Sequence, residues 1–209
     1  MTIFYLDIET DDLKGTNLLQ VACISEHNKV FNAFFDTFCD LPERCTKLTG
    51  FYCYKGRLFQ NGQELETLDK QYVFETFLDW LDKNSDGEII LIGHNSFSFD
   101  FRILYKYFNI CGLTFNDKTR FCDSLVILKK FYKQELTSFS LAFLADHFKI
   151  NNSLPHNGLS DSIALKNICD HVIQKHKLSK DFFTVNPRNW LDFENVNRKR
   201  FKTKPFATR

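Results

Sequence analysis

TIFYLDIETDDL, residues 2–13, opens as an apolar run and closes on four acids, Asp7, Glu9, Asp11 and Asp12. The apolar part reads as a buried strand over residues 2–8. One unpaired carboxylate is costly to bury and several together repel, so a cluster at the tip of a core strand needs a compensating cation or must splay into water. The rest of the chain has to decide between these.

Outward from that strand, NLLQVACISEH and KVFNAFFD predict two more strands joined by a tight turn at His27–Lys29, giving an antiparallel meander. LPERCTKLTG predicts a short helix or turn closed by Gly50. KQYVFETFLDWLDK has helical spacing, with Val73, Phe77, Trp80 and Leu81 on one face. EIILIGHN is a buried strand followed directly by a helix at FDFRILYKYFN, and RFCDSL predicts a last short strand. Helices follow at SLVILKKFY, SFSLAFLADHFK and SDSIALKNICDHVIQKH, the last expected to be capped by Ser160. The order predicts an α/β fold: a mixed five-stranded sheet with helices on both faces.

The 209 residues fit one domain with a sizeable core, and 44% apolar with 25% charged residues is the profile of an ordinary soluble protein. The 24 Phe residues are scattered through many elements, as core packing would have them. No window reaches the length of a membrane span and no signal-peptide pattern opens the chain, so an unexported protein of the cytoplasm or nucleus is expected. Seven cysteines without a C-x-x-C pair suit reduced, mostly buried thiols; Cys39, Cys45 and Cys53 match no common zinc spacing.

Charge is uneven. Residues 1–178 carry 19 basic and 23 acidic side chains, whereas residues 179–209 carry 8 and 3. The expected organisation is one domain over 1–178 and a basic tail over 179–209, whose aromatic stretch FFTVNPRNWLDF docks and whose end after Asn195 is loose. Such a tail meets phosphates or an import receptor, or is a solvated end.

Further acids fall where they can join the first cluster. Asp100 follows a second apolar strand at the start of a helix, and Asp161 begins the final helix five residues after His156. Two strand ends and a helix start can meet at one edge of an α/β sheet. Four converging carboxylates without a cationic partner suit hard divalent ions, Mg²⁺ or Mn²⁺. Each residue also has an ordinary reading: Asp7 ends a strand, Asp100 caps a helix, Asp161 favours a helix N-terminus and His156 is a loop residue. Those readings account for the residues singly but leave their joint arrangement unexplained.

With DIET, HNSFSFD and HNGLSD in this order, residues 2–178 resemble the DEDDh, DnaQ-like 3′–5′ exonucleases, which include proofreading subunits and three-prime repair exonucleases. LTG at 48–50 and CDSLVILKKF are weaker matches. The resemblance implies an RNase H-like fold and two metal ions per site, one side activating water and the other stabilising the leaving 3′-oxygen. It implies that Asp7 bridges both ions, that Glu9 and Asp161 complete the first, and that Asp100 serves the second. His156 would be the general base on a mobile loop that Gly158 lets bend. His94, just after a buried strand, is a rival base.

The chain departs from the family in placing Asp11–Asp12 where a Thr-Gly pair is common; two carboxylates there add bulk and repel phosphate. Thr10, Leu13, Phe51 and Asn95 are the candidate substrate contacts, with Leu13 and Phe51 apolar groups able to stack on terminal bases. The expected function is release of nucleoside 5′-monophosphates from single-stranded 3′ ends, DNA favoured slightly. The alternatives are an RNA exonuclease of the same family and a nucleic-acid-binding module with weak catalysis. Protein partners are not predicted.

Overall fold

The computed structural model describes residues 1–12, 17–37, 40–184 and 187–193. Leu13, Cys39 and the basic stretch after Asn195 therefore lie outside the described residues. The elements in chain order are β1 (Thr2–Thr10), β2 (Leu18–Ser25), β3 (Val30–Phe35), α1 (Glu43–Thr49), β4 (Phe51–Tyr54), β5 (Arg57–Gln60), β6 (Gln63–Glu64) and β7 (Thr67–Leu68). Then come α2 (Lys70–Lys83), β8 (Ile89–Gly93), α3 (Asp100–Cys111), β9 (Thr119–Asp123), α4 (Ser124–Tyr132), α5 (Leu141–His147), α6 (Gly158–His176) and a 3₁₀ turn at Lys180–Thr184.

The main sheet has the order β7-β3-β2-β1-β8-β9. β1, β2 and β3 form the expected antiparallel meander, and β8 and β9 add in parallel to β1. The five expected strands are all present; the sixth is the two-residue β7, parallel to β3. A second, three-stranded sheet, β4-β5-β6, was not anticipated.

Alternation along β1 sets up both layers. Phe4, Leu6 and Ile8 join the core that contains Phe74, Phe77 and Leu81 of α2 and Phe101, Leu104 and Phe108 of α3. Ile3 and Tyr5 join the opposite core, with Leu128 of α4, Leu144 of α5 and Leu165, Ile168 and Val172 of α6. Side chains two apart on a strand share a face, so Asp7 and Glu9 continue the Ile3–Tyr5 row on the α6 side. The β1 and β8 ladder ends at Tyr5 opposite Ile92, so β1 runs on past its parallel neighbour.

Residues 187–193 close back on the sheet. Phe121 and Arg188 exchange backbone hydrogen bonds of 3.0 and 2.8 Å, and Trp190 and Phe193 are buried against Phe121. Gly50, in the left-handed conformation at φ 74°, ends α1 as expected; a Cβ there would run into the side chain of Asn61.

Candidate active site

β1 carries Asp7 and Glu9 to the sheet edge, where α3 and α6 begin. Asp100 is the first residue of α3, and its Oδ1 accepts a 3.1 Å hydrogen bond from the Ile8 backbone N–H, the stretch of β1 beyond the end of the β8 ladder. Asp161 lies in the first turn of α6, where its carboxylate accepts from Asn152 Nδ2 at 2.7 Å and from the His156 N–H at 2.9 Å. Glu9, His156 and Asp161 each offer a ligand atom within 4.8 Å of the others. All four carboxylates and His156 line one cavity of about 720 Å³.

Electrostatics mark the cluster as incomplete. Burial first, then Asp100, Glu9 and Asp161, holds the Asp7 carboxyl well above its ordinary range. Burial, then Asp161 and Asp100, pushes Glu9 up to about 8. Burial pushes Asp100 to about 7 against the hydrogen bonds it accepts, and Asp161 is raised by the same cause. Among the described residues none of the four is paired with Lys or Arg. An all-oxygen donor set that repels itself fits a hard divalent cation.

The RNase T exonuclease family model matches residues 4–169. The chain belongs to this exonuclease family. No curated protein matches it in sequence. Among solved structures, the nuclease domain of 3′hExo, a DEDDh family member bound to rAMP, is 16% identical with a TM-score of 0.64, covering 90% of this chain and 96% of that one. A 3′-exonuclease solved for its recognition of the histone mRNA stem-loop gives 16% and 0.64, covering 83% of this chain; exonuclease I gives 15% and 0.69, covering 88%. The chain spans 64% and 42% of the length of those two. The exonuclease fold is thus the RNase H-like one of DEDDh enzymes. No helix among the described residues is long and apolar enough to cross a membrane.

Several details of the candidate site differ from expectation. Ser160 is not the cap of α6: the helix starts earlier, and the side chain of Asn157 accepts from the Ser160 N–H at 3.2 Å. Gly158 is no hinge either. It opens the helix against β2, where a Cβ would meet Gln20 Oε1 at 3.3 Å, and its N–H donates to that oxygen at 2.9 Å. The bend sits at His156, whose φ is 63°. Phe51 does not reach the cavity. It is fully buried with Leu19, Cys45 and Leu58, because β4 turns it inward, and Leu48, 56% exposed, occupies the cavity wall instead.

Thr10 and the exposed Asn95 do line the cavity, Thr10 with its hydroxyl donating to the Asp12 carbonyl at 2.7 Å. Asp11 accepts from the Asn17 backbone at 2.8 Å and from Asn17 Nδ2 at 2.6 Å, which draws part of its charge into a loop closure. His94 is structural: its ring nitrogens bond Ser124 Oγ at 2.9 Å and the Phe139 carbonyl at 2.7 Å, and burial lowers its pKa.

Two supporting residues were missed by sequence reasoning. Asn152 orients Asp161 from a loop whose sequence carries no signal for that contact. Asp123, buried at the end of β9, accepts from the N–H groups of Asn95, Phe97 and Leu125 at 2.9, 3.0 and 3.0 Å. It thereby anchors the His94–Phe99 segment that delivers Asp100. Replacing Asp123 with alanine orphans three amides and is expected to cost about 2–4 kcal/mol and to lower kcat as well. Thermal melting and turnover on the same protein check this; wild-type values in both would contradict it.

Proposed function

We propose that the chain is a divalent-metal-dependent 3′–5′ exonuclease that releases nucleoside 5′-monophosphates from single-stranded ends. The observation that carries the reading is the convergence of Asp7, Glu9, Asp100 and Asp161 in one cavity, with raised pKa values and no Lys or Arg partner among the described residues. These four would hold two Mg²⁺ or Mn²⁺ ions. Bound there, the ions would supply the charge that lowers the pKa of an attacking water and stabilises the departing 3′-oxygen.

The remaining work falls to the chain's own groups. His156, with a ring nitrogen within 4.8 Å of carboxylate oxygens of Glu9 and Asp161, takes the proton of the attacking water, a role open to an imidazole because a neutral ring nitrogen accepts a proton. Its N–H bond to Asp161 ties the base to a metal-binding carboxylate, so both move as one unit. Leu48, Leu141 and Pro155 give the cavity an apolar wall for the terminal base, and Asn95 and Thr10 offer polar contacts to the sugar and phosphate.

DNA is the first substrate reading. RNA is the second, supported by the two neighbours solved with a histone mRNA stem-loop and with rAMP. Matched DNA and RNA strands, differently labelled and competing in one reaction, test the choice. Preferential shortening of the DNA is expected, and preferential shortening of the RNA would reverse it.

A further inference from the structure

The β4–β5 hairpin lies outside the motifs of the site, yet its Gln60 bonds Asn157 beside His156. Cross-strand pairing places Phe51, Cys53, Leu58 and Gln60 on one face and Tyr52, Tyr54, Arg57 and Phe59 on the other. The first face packs on Leu19 and Cys45. The second is the outward one. Tyr52 and Phe59 stack with centroids 5.2 Å apart and planes 9° apart, and Tyr54 is 57% exposed with Lys55 Nζ 5.1 Å from its ring centre. Lys55 and Gly56, at φ 49° and 75°, make the tight two-residue turn that matches strand twist, so the face is presented on a short, well-defined hairpin.

We propose that this outward face is a stacking platform for the single strand lying 5′ of the nucleotide in the active site. The identity of the occupant rests on the exonuclease reading above. Three observations favour nucleic acid over protein. Residues 43–64 carry Arg44, Lys47, Lys55 and Arg57 against Glu43 and Glu64; Lys47 and Arg57 pair with those two acids at 2.6 and 2.8 Å, which leaves Arg44 and Lys55 as a local cationic excess in a domain whose first 178 residues have an acidic excess. Aromatic rings beside cations take any base by its π-face and follow the backbone by charge. The hairpin is also tied to the site: β4 follows directly from Leu48 and Thr49 of α1, which line the cavity, and from the inward face Gln60 Oε1 accepts from Asn157 Nδ2 at 2.8 Å, next to His156. Arg44 is the sole Lys or Arg among the described residues lining the cavity, and it forms no ion pair with the carboxylates there.

The test is the affinity of the full chain, in chelator, for a fluorescein-labelled single strand of about a dozen nucleotides. A Tyr52→Ala/Tyr54→Ala double variant is expected to raise Kd about tenfold or more. Lys55→Ala/Arg57→Ala, at exposed positions where loss of the Arg57–Glu64 ion pair costs little stability, is expected to flatten the slope of log Kd against log salt by about 1.4. Wild-type Kd and slope in both variants would overturn the proposal and leave the face to a protein partner. Hydrolysis in Mg²⁺ is measured separately. Hairpin-dependent binding by a wild type that hydrolyses nothing would refute the exonuclease reading and keep the platform; normal hydrolysis with hairpin-independent binding would do the reverse.

Discussion

Replacing Asp7 with asparagine is expected to reduce hydrolysis by about a thousandfold or more while raising the melting temperature of the metal-free protein. Asp7 sits among Asp100, Glu9 and Asp161 in a buried row, so the change removes a charge that the fold tolerates only with a cation nearby. The same argument fixes a pH dependence. Glu9 and Asp100 are pushed up to about 8 and about 7, burial being the largest cause in each, from unfolded values of about 4. A carboxyl with a raised folded pKa holds its proton longer when folded, so its contribution is fully present below about pH 4 and is lost as pH rises through 7 to 8. The wild type in chelator is therefore expected to melt at lower temperature at pH 8 than at pH 5. Mg²⁺ should close much of that gap, and Asp7→Asn should narrow it without metal. A melting curve indifferent to pH, metal and the substitution would mean the carboxylates do not form one cluster.

At His156 the expected loss is about a hundredfold in single-turnover rate, with substrate affinity retained. The backbone complicates the choice of variant. His156 has φ 63°, a conformation that costs most side chains about 1–2 kcal/mol but that asparagine visits readily. His156→Ala should therefore lose some stability along with rate, whereas His156→Asn should keep the melting temperature and still lose the rate. Both keep the backbone N–H that Asp161 accepts. A His156→Asn enzyme with near-normal single-turnover rate would remove the base assignment.

The fold was legible where periodicity was strong. The apolar runs of β1, β2 and β8 are buried along their length, and the spacing of Val73, Phe77 and Leu81 put α2 on the sheet. The site was legible for a related reason: Asp7 and Glu9 must share a face, and Asp100 and Asp161 stand at helix starts, so their convergence follows from topology. The second sheet escaped because the aromatic GFYCY stretch suits base stacking as well as a strand, although Asn61–Gly62 is a strong signal for the turn between β5 and β6 and both residues have positive φ. That oversight also misplaced Phe51, since alternation in β4 sends it inward. Gln20, Asn152 and Asn157 hold the His156 segment through contacts between residues far apart or in irregular loops. No local pattern in the sequence encodes those contacts.

Metal-dependent hydrolysis from the 3′ end by the four carboxylates and His156 is tested most directly by incubating wild-type protein with a 5′-labelled single strand, in Mg²⁺ and in excess chelator, and resolving the products by length while identifying the released nucleotide. The expected result is a ladder shortening one nucleotide at a time from the 3′ end with release of 5′-monophosphates in Mg²⁺, and an intact strand in chelator. Full shortening in chelator, or internal cuts in place of the ladder, would contradict it.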